Sequence, residues 1–298
     1  MIDYSKKQYD PEILKRLQKV QVEILSDFIQ VCKKYDLPYF VVYGTAIGAV
    51  RHKGFIPWDD DTDVAMLRED YDRFLEIMPK ELGDKYQMMT PKIDKHYACT
   101  VTHLQRKGTK FVSEISKDMK CDMCIDLDIF PLDNIPSDEK KARKQERAAF
   151  FWGKLLFLCG TGNPIIRIDG FKGFLAKYIC KITHLVLKVF HVSPRYIYKK
   201  FTEASIKYNN EKTEFVTSFE VMNPLKTKMK RKAIFPLKEV PYENIMVNIA
   251  NNNHEYLTDI YGDYMKLPSK ENRINHMPYI LQFEGEDPVI KNGVVAKK

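Results

Sequence analysis

The chain has 298 residues, 44% of them hydrophobic and 30% charged, with a formal net charge of +8. That balance excludes a largely disordered chain, and the length suffices to bury a substantial core as one elaborated domain or two. The positive charge favours anionic partners, whether nucleotides, phosphorylated glycans, nucleic acid or an acidic membrane surface, and does not choose among them.

The segment Met1–Lys7 is polar with no apolar stretch behind it, which predicts no signal peptide. No run of about 18 uncharged apolar residues occurs, which predicts no membrane span. The six cysteines are scattered, as expected of reduced thiols in a cytoplasmic protein. Cys121 and Cys124 form one C-x-x-C, but no second Cys or His pair accompanies it, so two half-buried thiols are expected rather than zinc.

In chain order, Pro11 opens a helix predicted to reach about Tyr35, with Leu14, Leu17, Ile24, Leu25 and Phe28 at helical spacing. Pro38–Tyr43 reads as a buried strand. Gly44 should end it, and Thr45–Val50 should form a short helix with Thr45 near its start. Asp61–Met66 alternates like a strand, and Glu69–Met78 is a helix expected to stop at Pro79. Lys107-Gly108 suggests a hairpin turn within Tyr97–Phe111. Ile125–Phe130 reads as a strand terminated by Pro131. The expected fold class is therefore α+β, a small mixed sheet flanked by helices, with a helical insertion in the second half.

That insertion begins with basic helical sequence around Lys140, Lys141, Arg143, Lys144 and Arg147, and an apolar stretch runs from Phe150 to Ile166, broken at 162–164. On a wheel of the segment 174–190, Lys177, Lys181, His184 and Lys188 share a stripe. Phe174, Leu175, Tyr178, Ile179, Ile182, Leu185, Val186 and Val189 fill the other side. Such a helix could lie on an anionic membrane. The more ordinary packing, and the expectation taken, buries the apolar face in a helical subdomain with the lysines in water.

Asp59, Asp61 and Asp63 stand at i, i+2 and i+4, so an extended chain points all three to one side and Asp60 to the other. Three carboxylates on one face repel unless a cation neutralises them, and oxygen-rich clusters suit Mg²⁺, with Mn²⁺ as the alternative ion. A solvated acidic loop is the plainer explanation, but Trp58 before the run and Val64-Ala65-Met66 after it frame the cluster as the entry to a buried strand. Gly44 and Thr45 place backbone N–H groups at a helix start, an anion site. Asp126 and Asp128 offer two more carboxylates on one face of a strand, costly to bury without partners, and either could serve as general base. Among basic groups suited to phosphate, Arg51 lies between the Gly-Thr turn and the aspartates, and Arg106 and Lys107 occupy the expected hairpin.

Tyr43–Val64, running YGTAIGAVRHKGFIPWDDDTDV, resembles the signature of the LicD family of phosphocholine transferases, which includes fukutin-related proteins. Asp128-Ile129-Phe130-Pro131-Leu132-Asp133 is similar to that family's second motif. Tyr261–Pro268, followed by Arg273 and His276, is similar to its C-terminal motif. The resemblance covers about residues 12–135 and 235–278. It implies a nucleotidyltransferase-like fold that moves a phosphorylated alcohol from a CDP-linked donor, CDP-choline first among them, to a glycan hydroxyl with release of CMP. It further implies that Asp61 and Asp63 hold the metal with Asp128 as third carboxylate and base. Gly44, Thr45, Arg51, Trp58, Asp59, Arg106, Asp126, Arg273 and His276 are then candidates for substrate binding, with the choice between Asp126 and Asp128 open.

The acceptor expected on this reading is a lipid-linked precursor of a cell-surface glycan such as lipopolysaccharide or teichoic acid. The enzyme would be cytoplasmic, with peripheral contact at the inner face of the plasma membrane. A ribitol- or glycerol-phosphate transferase, a D-x-D sugar transferase and a non-catalytic nucleotide- or glycan-binding module are the alternatives. No nucleic-acid-binding motif is present. The expected organisation is a catalytic core over 1–136, the helical insertion over 137–232, a segment completing the core over 233–283 and a tail over 284–298.

Overall fold

The computed structural model describes residues 8–166 and 168–296. The reading of Met1–Lys7 lies outside them. Helix α1 (Pro11–Lys34) starts where Asp10 accepts hydrogen bonds from the N–H groups of Glu12 and Ile13 at 2.9 and 3.3 Å. Its buried face, with Leu17, Ile24, Leu25 and Phe28, packs into the main core. Strand β1 (Phe40–Val41) is shorter than Pro38–Tyr43, because the chain turns into α2 (Tyr43–His52) through a left-handed Tyr43, φ 50°. Gly44 therefore sits in the first turn of α2 rather than ending a strand.

Strand β2 (Asp63–Leu67) leads into α3 (Arg68–Glu81). Pro79 does not stop α3; it lies in the last turn, where only one ladder bond is lost, and the Leu82 N–H still closes on the Met78 carbonyl at 2.9 Å. β3 (Tyr86–Met89), β4 (Thr102–Arg106), β5 (Lys110–Val112) and β6 (Asp126–Ile135) follow. The expected hairpin at Lys107-Gly108 does not form: β4 pairs with β3 and β6, and the turn sends β5 into another sheet.

Strand β6 runs straight through Pro131. The Asp128 N–H points to β2, where it meets the Thr62 carbonyl at 2.9 Å, so alternation aims the nitrogen of residue 131 at the opposite edge. There the β4 pairing ends at Ile129, and the pairing with the next strand begins at Asp133. Pro131 occupies the one gap where a donor is not needed.

Helices α4 (Glu139–Gly160), α5 (Gly170–Val189) and α6 (Pro194–Ser205) come next, with a second core around Ala149, Leu156, Ile197 and Phe201. β7 (Phe215–Thr217) returns to extend the sheet beside β6, paired in turn with β8 (Met229–Lys230). The short helix α7 (Arg231–Ile234), the hairpin β9 (Lys238–Tyr242) and β10 (Ile245–Ile249), and helix α8 (Asn253–Tyr261) then close over the start of the chain. α8 packs on α2, and β10 on β1.

The main sheet has the order β1-β2-β6-β4-β3, with β2 and β6 parallel and the other pairs antiparallel. The fold is α+β. Residues 284–296 are not a tail. β12 (Ile290–Lys291) and β13 (Val294–Val295) continue the sheet formed by β5 and β11 (Ile280–Gln282), with Ile290 fully buried. Among the described residues no helix is long and apolar enough to cross a membrane.

Candidate active centre

The parallel pairing of β2 and β6 places Asp63 directly opposite Asp128, at the ends of the strands that emerge beside α2. Asp61 precedes β2; burial and then Asp61 and Asp128 push the Asp63 pKa up, while burial raises that of Asp128 against His103, with Asp126 and Asp61 adding to the rise. Asp59 is raised in the same way, by burial first and then by Asp61 and Asp60. Among the described residues no lysine or arginine forms an ion pair with Asp59, Asp61, Asp63 or Asp128. Carboxylates gathered this closely with imidazoles as their only basic partners among the described residues are expensive, and functional sites are where such expense collects.

Gly44 explains how Asp59 comes so near. A Cβ on residue 44 would stand 2.8 Å from the Asp59 carboxylate, so only glycine lets that acid sit against the first turn of α2. Gly48 serves the same helix: a Cβ there would meet the Gly54 carbonyl at 2.4 Å, blocking the turn that carries the chain toward the aspartates. Thr45 is buried, and its hydroxyl accepts the Asp63 N–H at 2.8 Å. It ties β2 to α2.

Asp60 does not point away from the cluster as an extended run would require: residues 59–62 precede β2, and the Asp60 and Asp61 carboxylates come within 4.8 Å of each other. The buried Asp60 carboxylate accepts from the Tyr9 hydroxyl at 2.7 Å and from the His276 N–H at 2.9 and 3.0 Å, and Gln21 of α1 donates to the Asp60 carbonyl. One acid thus fastens the C-terminal segment to the acidic loop from 216 residues away. The His276 imidazole reaches Asp60 and Asp61 at 3.3 and 3.4 Å, and these carboxylates raise its pKa. Its side chain is 64% exposed, so water screens the pair. Arg273 lies over the half-buried Trp58 ring at 4.6 Å, stacking the third motif on the first.

His103, which drew no attention in the sequence, completes the centre. From β4 its Nδ1 lies 2.6 Å from Asp128 and 3.1 Å from Asp126. Burial would lower its pKa, but Asp128 and then Asp126 outweigh burial and raise it well above the ordinary value, making an imidazolium clamped between two carboxylates. No local pattern marks His103; only the β4–β6 register sets it opposite Asp128.

Two expected ligands are engaged elsewhere. Arg106 is one residue past the side of β4 that carries His103 and Gln105, and it pairs with Glu284 at 2.9 Å. Arg51 donates to the Tyr264 carbonyl and to His52 at 2.9 Å; burial lowers its pKa, with Asp59 opposing. It braces the C-terminal motif beside the acids. Tyr261, in contrast, is 44% exposed and has its pKa raised by burial and then by Asp63, Asp59 and Asp61, which puts an open aromatic ring at the centre. Cys121 packs with Met89, Tyr97 and Met123.

Two sets of ligand-type atoms converge within 4.8 Å among the described residues: Asp60, Asp61 and His276, and His103, Asp126 and Asp128. The oxygen donors facing one another from β2 and β6, their pKa values raised first by burial and then by neighbouring carboxylates, with His103 opposing at Asp128, fit a hard divalent ion.

An α+β protein with a carboxylate-lined centre at the ends of two parallel strands is the class that fold and site define. Residues 36–134 match the family model described as LicD/FKTN/FKRP, nucleotidyltransferase domain. The chain carries a LicD-family domain, as the resemblance in Tyr43–Val64 implied. It is 28% identical over 272 residues to the lipopolysaccharide cholinephosphotransferase LicD of Haemophilus influenzae, covering 88% of this chain and 95% of that protein. An uncharacterised protein of Rickettsia typhi is 30% identical over 117 residues, 37% of each chain.

Proposed function

We propose that the protein transfers phosphocholine from CDP-choline to a hydroxyl of a cell-surface glycan such as lipopolysaccharide, on a nucleotidyltransferase-like catalytic domain. The observation that carries this reading is the in-register pairing of Asp63 with Asp128, beside Asp61, with no lysine or arginine ion-paired to any of the three among the described residues. The similarity along nearly all of a lipopolysaccharide cholinephosphotransferase supports the choice of substrates.

In this reading Asp61, Asp63 and Asp128 hold Mg²⁺, which when bound neutralises the donor diphosphate and the charge that builds on departing CMP. The first turn of α2, open at Gly44, offers backbone N–H groups to a phosphate once Asp59 is drawn aside. Asp128, its pKa raised, takes the proton of the attacking hydroxyl. His103 fixes the orientation of Asp128 and shares its charge with Asp126. Tyr261 presents an aromatic face to the quaternary ammonium of choline.

The test incubates the protein with a panel of CDP-alcohols and with lipopolysaccharide, and measures CMP release together with the mass of the acceptor. Release from CDP-choline that requires both Mg²⁺ and acceptor supports the reading. Preference for CDP-ribitol or CDP-glycerol would reassign the donor, and turnover without metal would remove the role given to the aspartates.

A further inference from the structure

Helix α5 contradicts the ordinary expectation that its apolar face is buried. Gly173 and Leu187 are its buried residues, and Ala176, Cys180, Thr183 and His184 are half-buried on the same side. His184 Nδ1 donates at 2.7 Å to the Leu158 carbonyl of α4, so the helix sits on the body by its small and polar side. The opposite side carries Phe171, Phe174, Tyr178, Ile182, Leu185 and Val189, with Phe171 78% and Phe174 68% exposed. At 3.6 residues per turn these form one stripe along about 30 Å of helix. A face of that size left in water is a docking surface.

Charge identifies what covers it. Gly170–Val189 contains no acidic residue, and Lys177, Lys181 and Lys188 run along one flank of the apolar stripe. Beside that flank lies a cavity of about 960 Å³ in which Lys95, Lys120, Lys181 and Lys188 meet one carboxylate, Asp118. A row of ammonium groups at the edge of an apolar stripe matches the arrangement of phosphates above acyl chains. A second copy would instead bring the same positive flank with it. Nor is α5 apolar enough to cross a bilayer.

We infer that α5 lies in the plane of an anionic phospholipid membrane, with its apolar stripe in the acyl boundary and the lysine flank at the level of the phosphates. Binding is read without donor or acceptor, so its outcome is independent of the proposed transferase activity. The full chain is sedimented with vesicles of phosphatidylglycerol and phosphatidylcholine, and with vesicles of phosphatidylcholine alone. Binding should be strong to the first, weak to the second, and reduced by salt.

The variant Phe174→Ser/Leu185→Ser/Val189→Ser changes only exposed side chains, so its circular dichroism should match that of the parent. Its vesicle affinity should fall at least about a hundredfold. Lys177→Glu, Lys181→Glu and Lys188→Glu should each cost about fivefold or more on the anionic vesicles. A Trp placed by Tyr178→Trp should shift its emission to the blue on vesicle addition. Vesicle binding that survives the apolar triple variant overturns the inference. So does a parent protein that ignores both vesicle types, or one that is a dimer in solution and becomes monomeric in the triple variant.

Discussion

Strand β6 carries acids at both ends, and the two ends are treated oppositely. At the far end Asp133 is fully buried and held bidentately by Arg68 at 2.8 and 2.6 Å, with Asn209 donating at 2.7 Å. At the near end Asp128 faces Asp63 with no arginine or lysine paired to either among the described residues, only the His103 imidazolium shared with Asp126. The same side chain on the same strand is a closed structural pair in one place and a set of competing negative charges in the other. A fold able to supply Arg68 for Asp133 gives the β2–β6 acids only an imidazole, and acidic and histidine groups so arranged could hold a metal ion.

The largest effect should come from the open end. Asp61→Asn or Asp63→Asn should lower the rate of CMP release by about 10²–10³-fold or more while leaving the protein folded. Without metal, Asp63→Asn should even raise the melting temperature, because it removes a repelled, buried carboxylate. Mg²⁺ should raise the melting temperature of the parent protein and fail to do so in these variants; an unchanged Mg²⁺ response would break the contrast.

At the closed end the signature reverses. Asp133→Asn leaves the Arg68 guanidinium buried beside a neutral amide and should cost about 3–5 kcal/mol in urea denaturation. Activity at low temperature should survive in whatever fraction stays folded.

Glu220 sharpens the comparison through pH. Burial, opposed by Arg68 and reinforced by Asp133, raises its pKa to about 7. Because an acid whose folded pKa is raised binds its proton more tightly when folded, stability falls as pH climbs from the unfolded value toward 7, and the whole penalty is present above it. Glu220→Gln should therefore match the parent near pH 4 and exceed it by about 2 kcal/mol at pH 8, read by denaturation at the two pH values.

The smallest expected effect concerns the clamp. His103→Asn should reduce turnover by about 10–100-fold through misorientation of Asp128, with little change in KM for the donor. An equal loss in KM would make His103 a substrate contact instead.

Much of the framework was legible because it is written in local periodicity. The α1 face, the Asp10–Pro11 start, the acidic run with its apolar frame and the strand bearing Asp126 and Asp128 are all set by nearest neighbours along the chain. The two prolines misled for a shared reason. Whether a missing N–H matters depends on what lies opposite: Pro79 in a last turn gives up a single ladder bond, and Pro131 in a gap between β4 and β7 gives up none. Lys107-Gly108 turned the chain as its residue types suggest, but which strand receives β5 was decided by β11, some 170 residues later.

By itself, then, the sequence determined the chemistry on offer: carboxylates spaced to share a face, and glycines where a backbone must come close. Tertiary structure alone decided who meets whom. Strand register put His103 between Asp126 and Asp128, and Asp60 took His276 from the far end of the chain. Packing of α5 on α4 turned outward the face that amphipathicity could only describe. The reason is physical: side-chain direction along one element follows from its own period, whereas contact between elements depends on register and docking, which no single segment encodes.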